Sequence, residues 1–292
     1  DIVYLFCDSK GFIWISTVQN GLNRYNPATS KFERFTYNEY DTTSLGGVNP
    51  LAVVEDNSGQ IWVCLFGRGI NRFNEKTKSF ERIRFEQNPG ANYHFDECND
   101  AMFDSNGNLW ITTRVGIIKF NTTTRAFEKF SWISADKSFN MFTGIHIDKS
   151  DMIWLGSFHQ GLLRYNPHNN VWTQHWNETG ATRPKNRVWD VTAYMENKLY
   201  VATAGEGFGI FDIPSGTFSF FRNEPNNYYS FPGNFNAHII YNSGRQTFIG
   251  SDYGMSVLTP SSNMFRFYSC YDKTQKDTNI SMISVVIPDI KD

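Results

Sequence analysis

The sequence predicts an all-β fold built from one repeated four-stranded antiparallel element, and three observations carry that prediction. The first is a large aromatic residue at a steady interval. Trp14, Trp62, Trp110 and Trp154 follow one another at 48, 48 and 44 residues, and Tyr200 and Phe248 continue the series at 46 and 48. A period of this size marks a repeated supersecondary element. The second is the register of everything around it. Two residues after each aromatic stands a small side chain (Ser16, Cys64, Thr112, Gly156, Ala202, Gly250), and six or seven after it a glycine (Gly21, Gly69, Gly116, Gly161, Gly207, Gly254). Further large apolar residues follow at ten or eleven (Tyr25, Phe73, Phe120, Tyr165, Phe211, Leu258) and at seventeen or eighteen (Phe32, Phe80, Phe127, Trp172, Phe218, Phe265). The third and sixth repeats are one residue short before the glycine and stay one short at both later landmarks, which a chance alignment would not preserve. The third observation is that the run around each aromatic, such as IWVCL, is apolar on both faces, so its sheet is covered on both sides.

The second repeat shows each element in order. LAVVE is a short apolar strand. DNSGQ is a turn, with Asp56 able to bond its own backbone and Gly59 tolerant of positive φ. IWVCL is a second strand, FGRG a glycine-bearing loop, INRFN a third strand, EKTK a polar turn and SFERI a fourth strand. Aromatic and β-branched residues dominate, as strands prefer. Four-stranded meanders of this length, covered on both faces and repeated, are β-propeller blades. Nothing reads as the polar capping repeat that an open solenoid needs. Six blades are expected at about residues 2–35, 50–83, 99–130, 143–176, 188–221 and 236–268 of a single domain spanning 1–292. A partial seventh is expected over 280–292, where ISMISVVIPD repeats a first strand and Asp289 takes the place of Asp56. Both ends read as cut, with the parent propeller expected to have seven blades.

Composition narrows the function. The 292 residues carry 27 Lys and Arg against 29 Asp and Glu, a net charge of -2. No basic field exists for phosphate, so nucleic acid is not an expected partner. No apolar run approaches the ~18 residues of a membrane-spanning helix. Cys7, Cys64, Cys98 and Cys270 occupy unrelated repeat positions and form no C-x-x-C pair, so free thiols are expected and zinc is not. His94, His146, His159, His168, His175 and His238 show no ligand spacing, so neither metal nor cofactor is expected. Asp8, Asp56, Asp104 and Asp148 repeat at one hairpin turn; they read as turn braces, not as the facing carboxylate pair of a glycosidase. No catalytic residue is expected.

The segments CDSKGFIWIST, NGLNRYNPATSKFERF, EDNSGQIWVCL, DSNGNLWITT and DKSDMIWLGS with GLLRYNP resemble the two-component-regulator propeller repeat. The likeness covers nearly the whole chain and weakens in repeats five and six, where Tyr200 and Phe248 replace tryptophan and the turn aspartate is lost. What it implies is a periplasmic sensor region of a hybrid two-component histidine kinase of Bacteroides type. In that family two propellers commonly precede a β-sandwich, a membrane helix and a cytoplasmic kinase, and the signal is usually an oligosaccharide. The implied partners are that ligand, an adjacent propeller or β-sandwich of the same chain, and a second copy in a receptor homodimer. Two other readings stay open: a glycan-active propeller enzyme, glycosidase or lyase, and a protein-binding or dimerising scaffold.

The candidate ligand-binding residues lie where the repeat breaks into variety. Loops between second and third strands carry Asn20 beside Gln19, Arg68, Arg114, His159 beside Gln160, Glu206, and Tyr253 beside Asp252. Loops joining successive repeats end in Asn49, Asp96 and Glu97, Asn140, Arg187 and Asn236. The topology is expected to bring these loops to one face. Asn and Asp bond hydroxyls, Arg clamps carboxylate or sulfate, and aromatics stack on sugars. Arg68, Arg114 and Arg187 favour an acidic oligosaccharide, unless Asp96, Glu97, Glu206 and Asp252 pair with them. Trp189, on a first strand, is expected in the core.

Overall fold

The computed structural model describes residues 2–86, 94–132, 141–175, 187–224, 226–227, 230–232, 238–242, 246–251, 254–259 and 264–269. The seventh repeat expected over 280–292 lies outside them. Every regular element among the described residues is a β-strand, and no helix there is long and apolar enough to cross a membrane. Twenty-four strands form six four-stranded antiparallel sheets, at residues 2–35, 50–83, 98–130, 142–174, 188–221 and 238–269, each with its strands in sequence order. The fold class is the β-propeller's. The chain divides into two compact units, 1–151 and 152–292.

One packing rule serves both units: the recurrent aromatic of one repeat inserts against the third strand of the next. In the first unit Trp14 meets the edge of Phe73 at 5.1 Å and Trp62 meets Phe120 at 5.8 Å. In the second, Trp154 meets Phe211 at 5.7 Å, and Tyr200 shares a cluster with Ile249, Leu258 and Phe265. The second strands Ile61–Leu65 and Ile153–Ser157 are buried at every residue, as strands covered on both faces must be. The fourth-strand aromatics do not all share this role. Phe80 and Phe265 are buried, but Phe32 is 65% exposed and only leans on Tyr25, and Phe127 is 42% exposed. Blade packing therefore does not account for every aromatic of the period, because the outermost strand has a neighbour on one side only.

The turn aspartate does more than brace its turn. Asp8 Oδ1 accepts the backbone N–H groups of Lys10 (3.0 Å) and Phe12 (2.9 Å), while its Oδ2 accepts the indole N–H of Trp14 at 2.8 Å. Asp56 repeats the arrangement with Ser58, Gln60 and Trp62, and Asp104 with Asn106, Asn108 and Trp110. Burial works against the Asp56 charge, but the Ser58 hydroxyl, the Trp62 indole and the turn amides outweigh it and hold the carboxyl below its ordinary range. The residue paired with each tryptophan on the third strand is a cation set near the ring: Arg24 at 5.1 Å from Trp14, Arg72 at 6.0 Å from Trp62, Lys119 at 5.6 Å from Trp110 and Arg164 at 5.4 Å from Trp154. Arg24 is only 3% exposed, and Glu33 and Glu75 both bind its guanidinium. A further clasp joins repeats in the first unit: Ser9 donates to Glu55, and Ser105 to Asp151. Cys7, Cys64 and Cys98 are free thiols; Cys270 lies outside the described residues.

Candidate ligand-binding loops

Each loop between second and third strands ends on a glycine, for a steric reason. A Cβ on Gly69 would collide with the Ile83 carbonyl oxygen, and one on Gly116 with that of Phe130. Gly69 also sits at φ +69, a conformation that side chains disfavour. The loop behind that anchor is free to vary, and there the candidate residues stand.

In the first unit these residues form a chain of contacts. Asn49 Oδ1 accepts the Gln19 amide at 2.8 Å, and its carbonyl accepts the Phe66 amide at 3.0 Å. The Arg114 guanidinium lies 5.7 Å from the Phe66 ring and 3.8 Å from Glu97 Oε1. Glu97 is buried, and its Oε2 has no hydrogen-bond partner. Asn20 is exposed, donating to the Val18 carbonyl and accepting from Arg34 at 3.2 Å. Arg68 is exposed over Tyr37 at 5.8 Å and has no ion pair among the described residues. Its stem packs against Gly47. Asp96 pairs with neither Arg68 nor Arg114: it is fully buried, held by Arg84 at 2.8 Å and the Phe85 amide at 2.7 Å. Val18, Val48 and Phe66 stand exposed among these polar groups.

In the second unit the pattern changes. Glu206 is buried and bound by Arg222, with its amide donating to Thr203 Oγ1 at 3.1 Å. Arg187, just before the strand Val188–Met195, lays its guanidinium over the Phe158 ring at 3.5 Å from the centroid and lies 5.9 Å from the Trp189 ring. Its Nε is shut from solvent without an acceptor, and burial lowers its pKa. The Ala204 amide bonds the Arg187 carbonyl at 2.9 Å, fixing the backbone. Phe158 meets Trp189 edge-on at 5.5 Å and exposed His159 at 4.9 Å. Trp189 is thus half-exposed beside the loop, not in the core. Sequence reasoning passes over Phe158 and assigns Trp189 to the core because both are out of register with the repeating aromatics; an aromatic beside His159 is the available signal. Asn140, Asn236, Asp252 and Tyr253 lie outside the described residues.

Two concavities of the first unit lie at the opposite ends of the strands. One, about 160 Å³, is lined by Asp8, Lys10, Gln60, Phe73 and Glu75; the other, about 400 Å³, by Gln60, Arg72, Phe73, Lys76 and Glu81. No candidate loop residue lines either. On the first strand of the third repeat, burial pushes the Asp100 carboxyl up to about 6, although the Ala101 amide (2.8 Å) and the Ile145 amide (3.2 Å) donate to it.

No protein-family model and no curated protein matches the chain. Solved structures do match. An extracellular domain ascribed to hybrid two-component system BT4673 of B. thetaiotaomicron superposes with a TM-score of 0.74 at 18% identity, over 99% of this chain and 38% of that one. A second, ascribed to hybrid two-component system BT3049 of the same organism, gives 0.66 at 20% identity, over 92% of this chain and 41% of that one. Virginiamycin B lyase from Staphylococcus aureus gives 0.72 at 16% identity, over 93% of this chain and 85% of that one. The chain thus spans about two fifths of the two extracellular domains. At these identities the likeness defines the fold.

Proposed function

We propose that this chain is a ligand-sensing, extracytoplasmic propeller of a hybrid two-component histidine kinase of the two-component-regulator propeller family. In this reading it faces the periplasm and binds a glycan-derived oligosaccharide. The bound state is relayed, through further domains and a receptor homodimer, to control polysaccharide use. The observation that carries the binding reading is the unbalanced chemistry of the loop ends. In the same fold the buried guanidinium of Arg24 is matched by Glu33 and Glu75. At the loop ends Arg68 and Arg187 have no ion pair among the described residues, and Glu97 keeps an oxygen without a partner. Groups left in that state suit hydroxyl-rich or anionic ligands. The matches to two extracellular domains of two-component systems support the sensor role.

The lyase match supports a second reading, an enzyme of the same fold. Calorimetry of the intact ectodomain against neutral and acidic oligosaccharides separates the two. Saturable binding with the oligosaccharide recovered intact is expected. Cleavage that leaves an ultraviolet-absorbing double bond would replace the sensor reading with the lyase.

A further inference from the structure

Two arginines of this fold, Arg24 fully buried and Arg187 half-buried with its Nε shut from solvent, are treated differently. Arg24, inside the first unit, has two carboxylates on its guanidinium. Arg187, in the second unit, has none among the described residues, and its Nε is desolvated without an acceptor. A buried polar group is ordinarily satisfied, because leaving it bare costs free energy. Glu206, on the loop that follows in the same repeat, does not serve it: that carboxylate is bound by Arg222. Nor is Arg187 loose, since its guanidinium carbon sits over the Phe158 ring at 3.5 Å from the centroid and its carbonyl is tied to Ala204. A guanidinium so held keeps its fork of N–H donors ready for two oxygens of one oxyanion. Around it stand half-exposed Trp189, edge-on to Phe158, and exposed His159.

We infer that Arg187, Phe158, Trp189 and His159 form a subsite for a sugar ring that carries an oxyanion, a carboxylate or a sulfate ester. This rests on the sensing reading and names the class of ligand. Arg187 takes the oxyanion through paired hydrogen bonds, the Trp189 ring takes the apolar face of the pyranose, and His159 adds a hydrogen bond at the rim. Phe158, covered on one face by Arg187, positions the guanidinium and does not itself bind sugar.

The test is calorimetry of the chain with three probes of equal length: an oligogalacturonide, a sulfated oligosaccharide and a neutral oligosaccharide. One anionic probe is expected to bind, more weakly as salt rises. Arg187→Gln should lower that affinity about tenfold or more, since a charge-assisted bidentate pair is lost. Its melting temperature should not fall, because no carboxylate among the described residues pairs with the charge removed. Arg187→Lys, which keeps the charge without the fork, should lie between. Trp189→Leu should weaken the anionic probe with its salt dependence unchanged. Binding of the neutral probe with no response to either Arg187 variant would overturn the subsite and leave the sensing reading standing. Failure of all three probes would count against both.

Discussion

Repeats one to three and repeat five solve the same packing problem with different chemistry. In the first three, an indole fills the space between sheets, its N–H ends on an aspartate six residues earlier, and a cation on the third strand approaches its ring. In repeat five the aromatic is Tyr200, the residue six earlier is Tyr194, and the residue paired with it on the third strand is Ile210. Tyr194 stacks on Tyr200 at 4.3 Å, and Thr247 supplies the Tyr200 hydroxyl with a partner at 3.0 Å. Repeat six goes further: Phe248 has no N–H to satisfy, and Val257 stands opposite it. Acid, indole and cation are thus present together or absent together. The reason is physical: the acid is needed because a buried indole N–H requires an acceptor, and a cation gains more from an indole face than from a phenyl or phenol ring.

The largest test of this contrast is the aromatic itself. Trp62→Ala should lower unfolding stability by roughly 3–5 kcal/mol, as large-to-small core changes do. A smaller loss would mean that the sheets close over the gap. Next is the acid. Asp104→Ala removes two turn hydrogen bonds and strands the Trp110 N–H in the core, so a loss of roughly 2–4 kcal/mol is expected in denaturant titration. Adding Trp110→Phe to that variant recreates the pattern of repeat six. The pair should cost about 1 kcal/mol or more less than the sum of the two single changes. Additive losses would show that acid and indole are independent.

The pH response separates the same regions by a smaller margin. The Asp56 carboxyl is held below its ordinary pKa, so its contribution is complete above that ordinary value and disappears as pH falls through the depressed one. Protection from amide exchange, corrected for the intrinsic pH dependence of the exchange rate, should therefore fall on acidification in residues 61–65 before it does in residues 198–203, whose Tyr200 has no carboxylate among its hydrogen-bond partners. Simultaneous loss would sink the assignment. The smallest effect belongs to the cation: Lys119→Leu, imitating Ile210, should cost only about 0.5–1 kcal/mol.

Most of the fold was legible because the period, the shared one-residue deletions and the two-sided apolar strands are written in residue types and spacing. The acid–indole–cation set was legible only in part. The recurrent Asp, Trp and Arg were visible, but that Asp56 Oδ2 turns inward to Trp62, while Oδ1 closes the hairpin, depends on side-chain direction that spacing does not encode. The loop residues were less legible still. Arg187 stood out as a charge, but its desolvation over Phe158 arises from two segments far apart in sequence. The burial of Glu97 and Glu206 was likewise invisible, since both sit in polar stretches that read as exposed.

The glycine that ends each loop between second and third strands separates two evolutionary regimes. A side chain at Gly69 or Gly116 would displace the carbonyl of the neighbouring strand, so mutation there is penalised by the scaffold whatever the ligand. The side chains just before it, such as Phe66, Arg68 and Arg114, meet no such steric bar and differ from repeat to repeat. Under the proposed sensing function each loop is a cassette with a fixed hinge, and exchanging residues 66–68 for 158–160 is expected to move ligand preference without redesigning a blade.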